Sequence, residues 1–163
     1  MRCLLDSTLP EGSIRTARVG STDHVFDPCK EELGPRAWLE LIGSSWLAAE
    51  ARREGDFVPP PPGPVTDSAP RAAVLRGIGP VTADLPLAHE EGERFNPLPL
   101  AGLVPALEQV VTHACADLGY LLFLRAVKHY ALPVSANCRA EFVTLGERFG
   151  YPELLVEQGL QRG

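Results

Sequence analysis

A run of prolines in the first half of the chain limits the fold more than any other feature of the sequence. Val58 is followed by Pro-Pro-Pro-Pro-Gly-Pro, so five positions between 59 and 64 have no backbone N–H group to donate. Such a segment favours extended polyproline II over helix or sheet. We therefore expect a semi-rigid spacer between an N-terminal arm and the rest of the chain. A peptide ligand for an aromatic groove is the alternative use of such a run.

The length and composition are those of a chain that can bury a core. Of the 163 residues, 45% are apolar, and the net charge is -6. An acidic chain is not expected to bind nucleic acid through phosphates alone, so nucleic acid is a disfavoured partner unless a motif supports it. The longest apolar stretch, around Leu118 to Val127, contains Arg125 and is too short to cross a bilayer. No transmembrane span is expected.

The cysteines and the N-terminus give no sign of a metal site or of secretion. The four cysteines stand at positions 3, 29, 115 and 138, and none belongs to a Cys-x-x-Cys pair. We expect neither a metal nor any other cofactor. Asp6 and Glu11 interrupt the place where a secretory signal would be hydrophobic. The expectation is an intracellular protein with reduced thiols, in the cytoplasm or in an organellar matrix such as that of the mitochondrion.

Two elements are expected before the proline run. Ser13 to Val19 alternates like an exposed strand, which predicts a short β element. Pro35 suits the first position of a helix, and Gly55 suits the position just past its end. Apolar side chains recur at four-residue spacing between them, at Trp38, Ile42 and Trp46. This pattern predicts an amphipathic helix over residues 35–54.

After residue 100, prolines and glycines mark expected helix boundaries. The predicted helices run from Pro105 to Gly119, from Tyr120 to Ala131, from Ser135 as N-cap to Gly150, and from Pro152 to Gly159. Residues 70–102 are expected to be irregular, because prolines at positions 80, 86, 97 and 99 forbid any long helix.

The last sixty residues show a weak internal repeat. The steps Gly119-Tyr120 and Gly150-Tyr151 are 31 residues apart, and Pro105 and Pro133 are 28 apart. Helix, glycine turn, helix and proline, repeated at such a period, indicate stacked α-hairpins. An ordinary helical bundle is the alternative.

Residues 103–158 resemble the helical hairpins of tetratricopeptide and pentatricopeptide proteins. The resemblance rests on Val104-Pro105, Ala114 to Gly119, Leu132-Pro133 and Phe142 to Gly146 with Gly150. It extends loosely to the helical-hairpin subunit 5A of cytochrome c oxidase. It implies a mainly α fold whose hairpin half serves as a docking surface. The expected organisation is an N-terminal β segment and helix over 1–57, a proline-rich linker and irregular arm over 58–102, and a helical-hairpin domain over 103–163.

A second resemblance implies a phosphate site. The string from Leu75 to Ala83 is similar to the turn of helix-hairpin-helix DNA-binding proteins. Glu93-Arg-Phe95 and the residues 101–105 downstream look like the C-terminal part of the transposases of one bacterial insertion-sequence family. The positions that would bind phosphate are Gly77, Ile78, Gly79 and Thr82. A Gly-Pro turn between extended segments is the alternative.

A third resemblance concerns the N-terminal third of the chain. His24 ahead of a helix that carries Glu40 is similar to the acid–base pair of hotdog-fold acyl dehydratases. That fold requires several long strands, whereas the period after residue 100 is helical.

The sequence as a whole favours a non-catalytic protein. We expect an interaction or scaffold protein, an accessory subunit of a larger assembly, whose partners are other protein subunits. No catalytic residue is assigned. The aromatic residues expected on the interaction surface are Trp38, Trp46, Tyr120, Phe123 and Tyr151.

Overall fold

The protein is mainly helical over the residues that its computed structural model describes, which are 2–22, 27–54, 68–82, 101–130 and 132–160. These ranges contain eight α-helices, a 3-10 turn at Pro28–Glu31 and no strand. In chain order the helices are α1 Arg2–Leu5, α2 Glu11–Val19, α3 Pro35–Glu54, α4 Ser68–Thr82, α5 Leu103–His113, α6 Ala116–His129, α7 Ala136–Arg148 and α8 Glu153–Leu160. The expected mainly α class is confirmed. Within the same ranges, no helix has both the length and the apolar character of a membrane span.

One hydrophobic cluster joins the N-terminal helices to the C-terminal ones. It runs from Leu4 in α1 to Leu160 in α8. α5 packs against α2, α4 and α6, while α8 packs against α6 and α7. α4 also contacts α6 and α7. α3 lies at the edge of this arrangement, because it packs against α1, α2 and the 3-10 turn.

The strand expected at Ser13–Val19 is wrong, because these residues belong to α2. Pro10 precedes the helix, and its carbonyl accepts the N–H group of Ile14 at 3.2 Å. Ile14 and Ala17 lie three residues apart and are both buried, as one face of a helix requires. An apolar pattern over only seven residues does not separate this spacing from the alternation of a strand.

The helix predicted over residues 35–54 is confirmed with its bounds. Pro35 is its first residue, and the N–H group of Trp38 donates to the carbonyl of Gly34 at 2.9 Å. Only its beginning is buried, at Pro35, Trp38 and Leu39.

The expectation of an irregular segment over 70–102 is wrong for its first part, which forms α4. Pro70 lies in the first turn of this helix and Pro80 in the last. Pro70 is among the first four residues, whose N–H groups have no helical acceptor, and Pro80 removes one helical hydrogen bond only two residues before the helix ends. Thr82 adds a side-chain hydrogen bond to the carbonyl of Ile78, at 2.7 Å. The proline run at 59–64 and the residues 83–100 lie outside the described residues.

The chain turns between α5 and α6 at Ala114 and Cys115, and the helix boundary expected at Gly119 is wrong. Cys115 has an extended backbone, with φ -159° and ψ 129°. Gly119 lies inside α6, where an added Cβ atom would overlap Cγ2 of Val111 and approach its backbone nitrogen to 3.1 Å. This glycine therefore allows α5 and α6 to cross closely and does not end a helix.

The ends of α7 follow the predicted caps. Ser135 accepts the N–H group of Cys138 at 3.3 Å, as an N-cap does. At the other end Gly150 has φ +78°, and the N–H group of Tyr151 donates to the carbonyl of Gly146 at 2.9 Å. This is a Schellman turn. The helix end predicted at Gly159 is wrong, because Gly159 lies inside α8.

Candidate functional site

A groove of about 460 Å³ lies between α1 and α3. Its apolar lining is Leu5, Trp46 and Leu47, and its polar lining is Arg2, Asp6, Glu40 and Ser44. We call it the α1–α3 groove. Charges of both signs stand at its rim, where Arg2 of α1 and Asp6, the residue after that helix, form a loose ion pair at 3.8 Å. Apolar walls with a charged rim are typical of surfaces that bind another protein.

α3 continues well past the part of it that packs on the core. Every residue from Ser44 to Ala49 is exposed. At 1.5 Å per residue, the eleven residues after Gly43 extend for about 16 Å. Trp46 is 47% exposed and Leu47 is 39% exposed. Single exposed apolar side chains are common on protein surfaces. Trp46 and Leu47 differ from these, because they are adjacent in sequence and line the same groove.

Arg36 fixes the wall of the groove that α1 supplies. Its guanidinium donates to the carbonyl oxygens of Leu4 and Leu5 at 2.8 Å each, of Ser7 at 2.9 Å and of Leu9 at 2.6 Å. The last carbonyls of a helix have no partner inside the helix, and α1 is only one turn long. The planar fork of arginine satisfies them from α3 and ties α1 to that helix.

The base of α3 is fixed against α2 by a cation and an aromatic ring. The guanidinium of Arg18 lies 3.3 Å from the ring centroid of Trp38. Burial lowers the pKa of Arg18 below its ordinary value. Arg15 forms an ion pair with the buried Asp27, whose carboxylate also accepts the N–H group of Cys29 at 3.2 Å. The hydrogen bond from Arg15 lowers the pKa of Asp27. The contact between Arg18 and Trp38 holds the first turns of α3, and the exposed last turns of this helix lie beyond it.

Three of the five aromatic residues expected on the interaction surface are buried, so the prediction is wrong for them. Tyr120 and Phe123 are fully buried, and Trp38 is 8% exposed. Tyr151 is half-buried and packs against the core. Trp46 is the exposed one among the five. Aromatic side chains carry the largest apolar area, so the same residue type serves both a core and a contact surface.

Tyr120 is the centre of an aromatic cluster that belongs to the core. Its hydroxyl donates to the carbonyl of Phe142 at 2.6 Å. Its ring lies 5.4 Å from that of Phe149 and stacks on that of Tyr151 at 6.1 Å. Burial raises the pKa of Tyr120, and burial also raises the pKa of Tyr151 to about 12. Both phenols therefore stay neutral at physiological pH.

Cys115 stands at the start of α6 and is not activated as a nucleophile. Its thiol donates to the carboxylate of Asp117, which also accepts the N–H group of Leu118 at 2.8 Å. Burial raises the pKa of Cys115 to about 12, and the hydrogen bond to Asp117 adds to the shift. The thiolate is the reactive form, so this thiol is chemically quiet at neutral pH.

The candidate phosphate positions lie in a helix and not in a hairpin turn. Gly77, Ile78, Gly79 and Thr82 all belong to α4. The turn expected at this string is therefore not formed. Gly77 has a packing role, because an added Cβ atom would come within 2.6 Å of Cε1 of Phe142.

The acid–base pair of the dehydratase resemblance is not assembled by the described residues. Glu40 is exposed at the rim of the α1–α3 groove, and His24 lies outside the described residues. The part of the chain that the structure describes holds no strand from which a hotdog sheet could be built. Nor do the described side chains form a group of three or more metal-ligating residues.

Leu47 and Arg36 are functional candidates that the sequence reasoning missed. Leu47 follows Trp46 directly, but this adjacency does not predict exposure, because the adjacent Trp38 and Leu39 at the start of the same helix are both buried. No local signal predicts the contacts of Arg36, because its four acceptors lie 27 to 32 residues earlier in the chain.

No protein-family model matches the chain, and comparison with curated proteins and with solved structures found no significant match.

Proposed function

We propose that this protein is a non-catalytic accessory subunit that binds another protein through the α1–α3 groove. The observation that supports this proposal is the exposure of Trp46 and Leu47 on a helix that continues past the core. Exposed apolar area costs about 25 cal/mol per Å² relative to burial. A partner that covers these side chains recovers that free energy.

The occupant that fits the groove is an amphipathic helix of a different protein. Its apolar face would contact Leu5, Trp46 and Leu47, and its polar edge would meet the mixed charges of Arg2 and Asp6. A second copy of the same chain is a poorer occupant, because a net charge of -6 makes identical chains repel each other.

The C-terminal helices serve as the scaffold in this proposal. α5 packs on α6, and α7 packs on α8. Two such pairs are what an α-hairpin repeat of the tetratricopeptide kind would contain. They share a core with α2 and α4, which would present α3 to the partner from a rigid base.

Site-specific photo-crosslinking in the cells that make the protein tests the proposal. A benzophenone amino acid replaces Ser44 at the groove or, as the matched control, the exposed Glu108 on α5. We expect a discrete adduct with another protein from position 44 and none from position 108. Adding Leu47→Asp should abolish that adduct.

Three results would overturn the proposal. The first is the absence of any adduct from position 44, and the second is the same adducts from both positions. The third is an adduct that contains two copies of this chain, because it would make the groove a self-association surface. Melting curves of each variant show whether the fold is intact.

A further inference from the structure

A second concave surface lies between α4 and α7. Its volume is about 360 Å³. Gly77, Phe142 and Leu145 form its floor, and Arg76, Glu141, Thr144 and Arg148 stand at its rim. We call it the α4–α7 cleft. The α1–α3 groove shares no residue with it.

The floor of the cleft is apolar and held in place. Phe142 is 3% exposed, and its ring lies 5.0 Å from that of Phe123. The main-chain carbonyl of Phe142 accepts the hydroxyl of Tyr120. The missing side chain at Gly77 lets α4 come close to the Phe142 ring. A ligand therefore meets a floor that needs little rearrangement on binding.

The rim carries more positive than negative charge. Arg76 and Arg148 are exposed, and Glu141 is the acid on the same rim. Within the described part of the chain, no carboxylate lies within ion-pair distance of either guanidinium. Arginine presents a planar set of N–H donors that matches a carboxylate. The cleft thus offers two arginines to an anion on a chain that is acidic overall.

We propose that the α4–α7 cleft binds an acidic segment of the partner protein, one that presents a carboxylate beside an aromatic or aliphatic side chain. The apolar side chain would rest on Phe142 and Leu145, while the carboxylate would meet Arg76 and Arg148. This inference rests on the proposed function, since it takes the partner to be a protein.

The exposure of the rim favours a peptide over an enclosed small molecule. Arg76, Glu141, Thr144 and Arg148 are all exposed, so an occupant keeps one side in water. Sites for small molecules usually bury most of the ligand, and 360 Å³ is near the lower end of their volumes. The cleft has room for one side chain and its flanking carboxylate.

Titration of the 15N-labelled full chain with short peptides tests this proposal by NMR. The probe is acetyl-Glu-Phe-Glu-amide, and the matched controls are acetyl-Lys-Phe-Lys-amide and acetyl-Glu-Ala-Glu-amide. We expect saturable shifts of the amides of Gly77 and Thr144 with the probe. The lysine peptide should give none, and the alanine peptide should bind more weakly.

Charge variants at the rim should move the affinity in opposite directions. Arg76→Gln and Arg148→Gln should each weaken binding of the probe by about two- to fivefold, as for an exposed ion pair. Glu141→Gln should strengthen it by a similar factor, because it removes the acid beside the bound carboxylate. The dispersion of the amide spectrum reports whether each variant is folded. A merely structural role for these exposed side chains would not give effects of opposite sign.

The proposal is overturned if the probe causes no shifts at the cleft, if the lysine peptide binds as well as the probe, or if the three variants leave its affinity unchanged. Its failure is distinguishable from that of the proposed function, because photo-crosslinking at Ser44 reads a different surface. If position 44 still gives the adduct while the probe causes no shifts at the cleft, this inference alone is overturned.

Discussion

Replacing Arg36 by methionine tests how α1 is fixed to the rest of the protein. The substitution keeps the length and apolar stem of the side chain but removes the donors to four main-chain carbonyls. One hydrogen bond contributes about 1 kcal/mol net, and more when a group is charged. The four bonds share one side chain and their losses are not additive, so we expect a loss of about 2–4 kcal/mol in the free energy of unfolding. That is a large fraction of the 5–15 kcal/mol typical of a folded domain.

Urea unfolding followed by circular dichroism measures this loss. The matched control is Arg52→Met, because Arg52 is exposed and donates to one carbonyl of its own helix, that of Ala48, at 3.1 Å. The control should change the free energy of unfolding by less than about 0.5 kcal/mol. Arg36→Lys should recover only part of the loss, since an ammonium group cannot reproduce the fork. Equal effects of Arg36→Met and Arg52→Met would refute the reasoning.

Three further predictions concern packing and titration. Gly119→Ala should destabilise the fold by about 1–3 kcal/mol in urea unfolding, because the new methyl group overlaps Val111. Gly12→Ala in α2 should be neutral or stabilising, because no atom lies within 4 Å of the added Cβ. A larger loss of stability from Gly12→Ala than from Gly119→Ala would contradict this account. Tyr120→Phe should cost about 0.5–1.5 kcal/mol, because it removes the buried hydrogen bond from the Tyr120 hydroxyl to the carbonyl of Phe142; an unchanged melting curve would exclude that role. The folded protein retains the proton of Cys115 up to about pH 12, whereas the unfolded chain loses it from pH 9.0. Stability should therefore fall as the pH rises above 9.0, and Cys115→Ala should make that fall shallower.

Local signals predicted those parts of the fold that depend on neighbouring residues alone. Pro35 and the four-residue spacing after it gave the bounds of α3. Ser135 as an N-cap and Gly150 at a positive φ angle fixed the ends of α7. In each case the stabilising interaction lies within a few residues of the signal, so no knowledge of the tertiary structure is needed.

Two of the wrong predictions share a physical cause, which is that one residue type serves two purposes. Glycine ends a helix at position 150 but permits a close helix crossing at position 119. Tryptophan fills the core at position 38 and is exposed at position 46 of the same helix. Which purpose applies depends on what lies opposite in space. Of the residues that line the α1–α3 groove, the interaction surface expected from the sequence therefore included only Trp46, and the wall held by Arg36 was not predictable.

The size of the complex that contains this chain in its native cells tests the central claim most directly. Native mass spectrometry after mild purification should find the 17.6 kDa chain in a larger assembly with another protein. The double variant Trp46→Asp/Leu47→Asp should be a folded monomer. The control Leu154→Asp/Leu155→Asp, which changes exposed leucines on α8, should retain the assembly. A monomeric wild-type chain, or an assembly that survives the Trp46→Asp/Leu47→Asp change, would contradict the claim that this protein binds a partner through the α1–α3 groove.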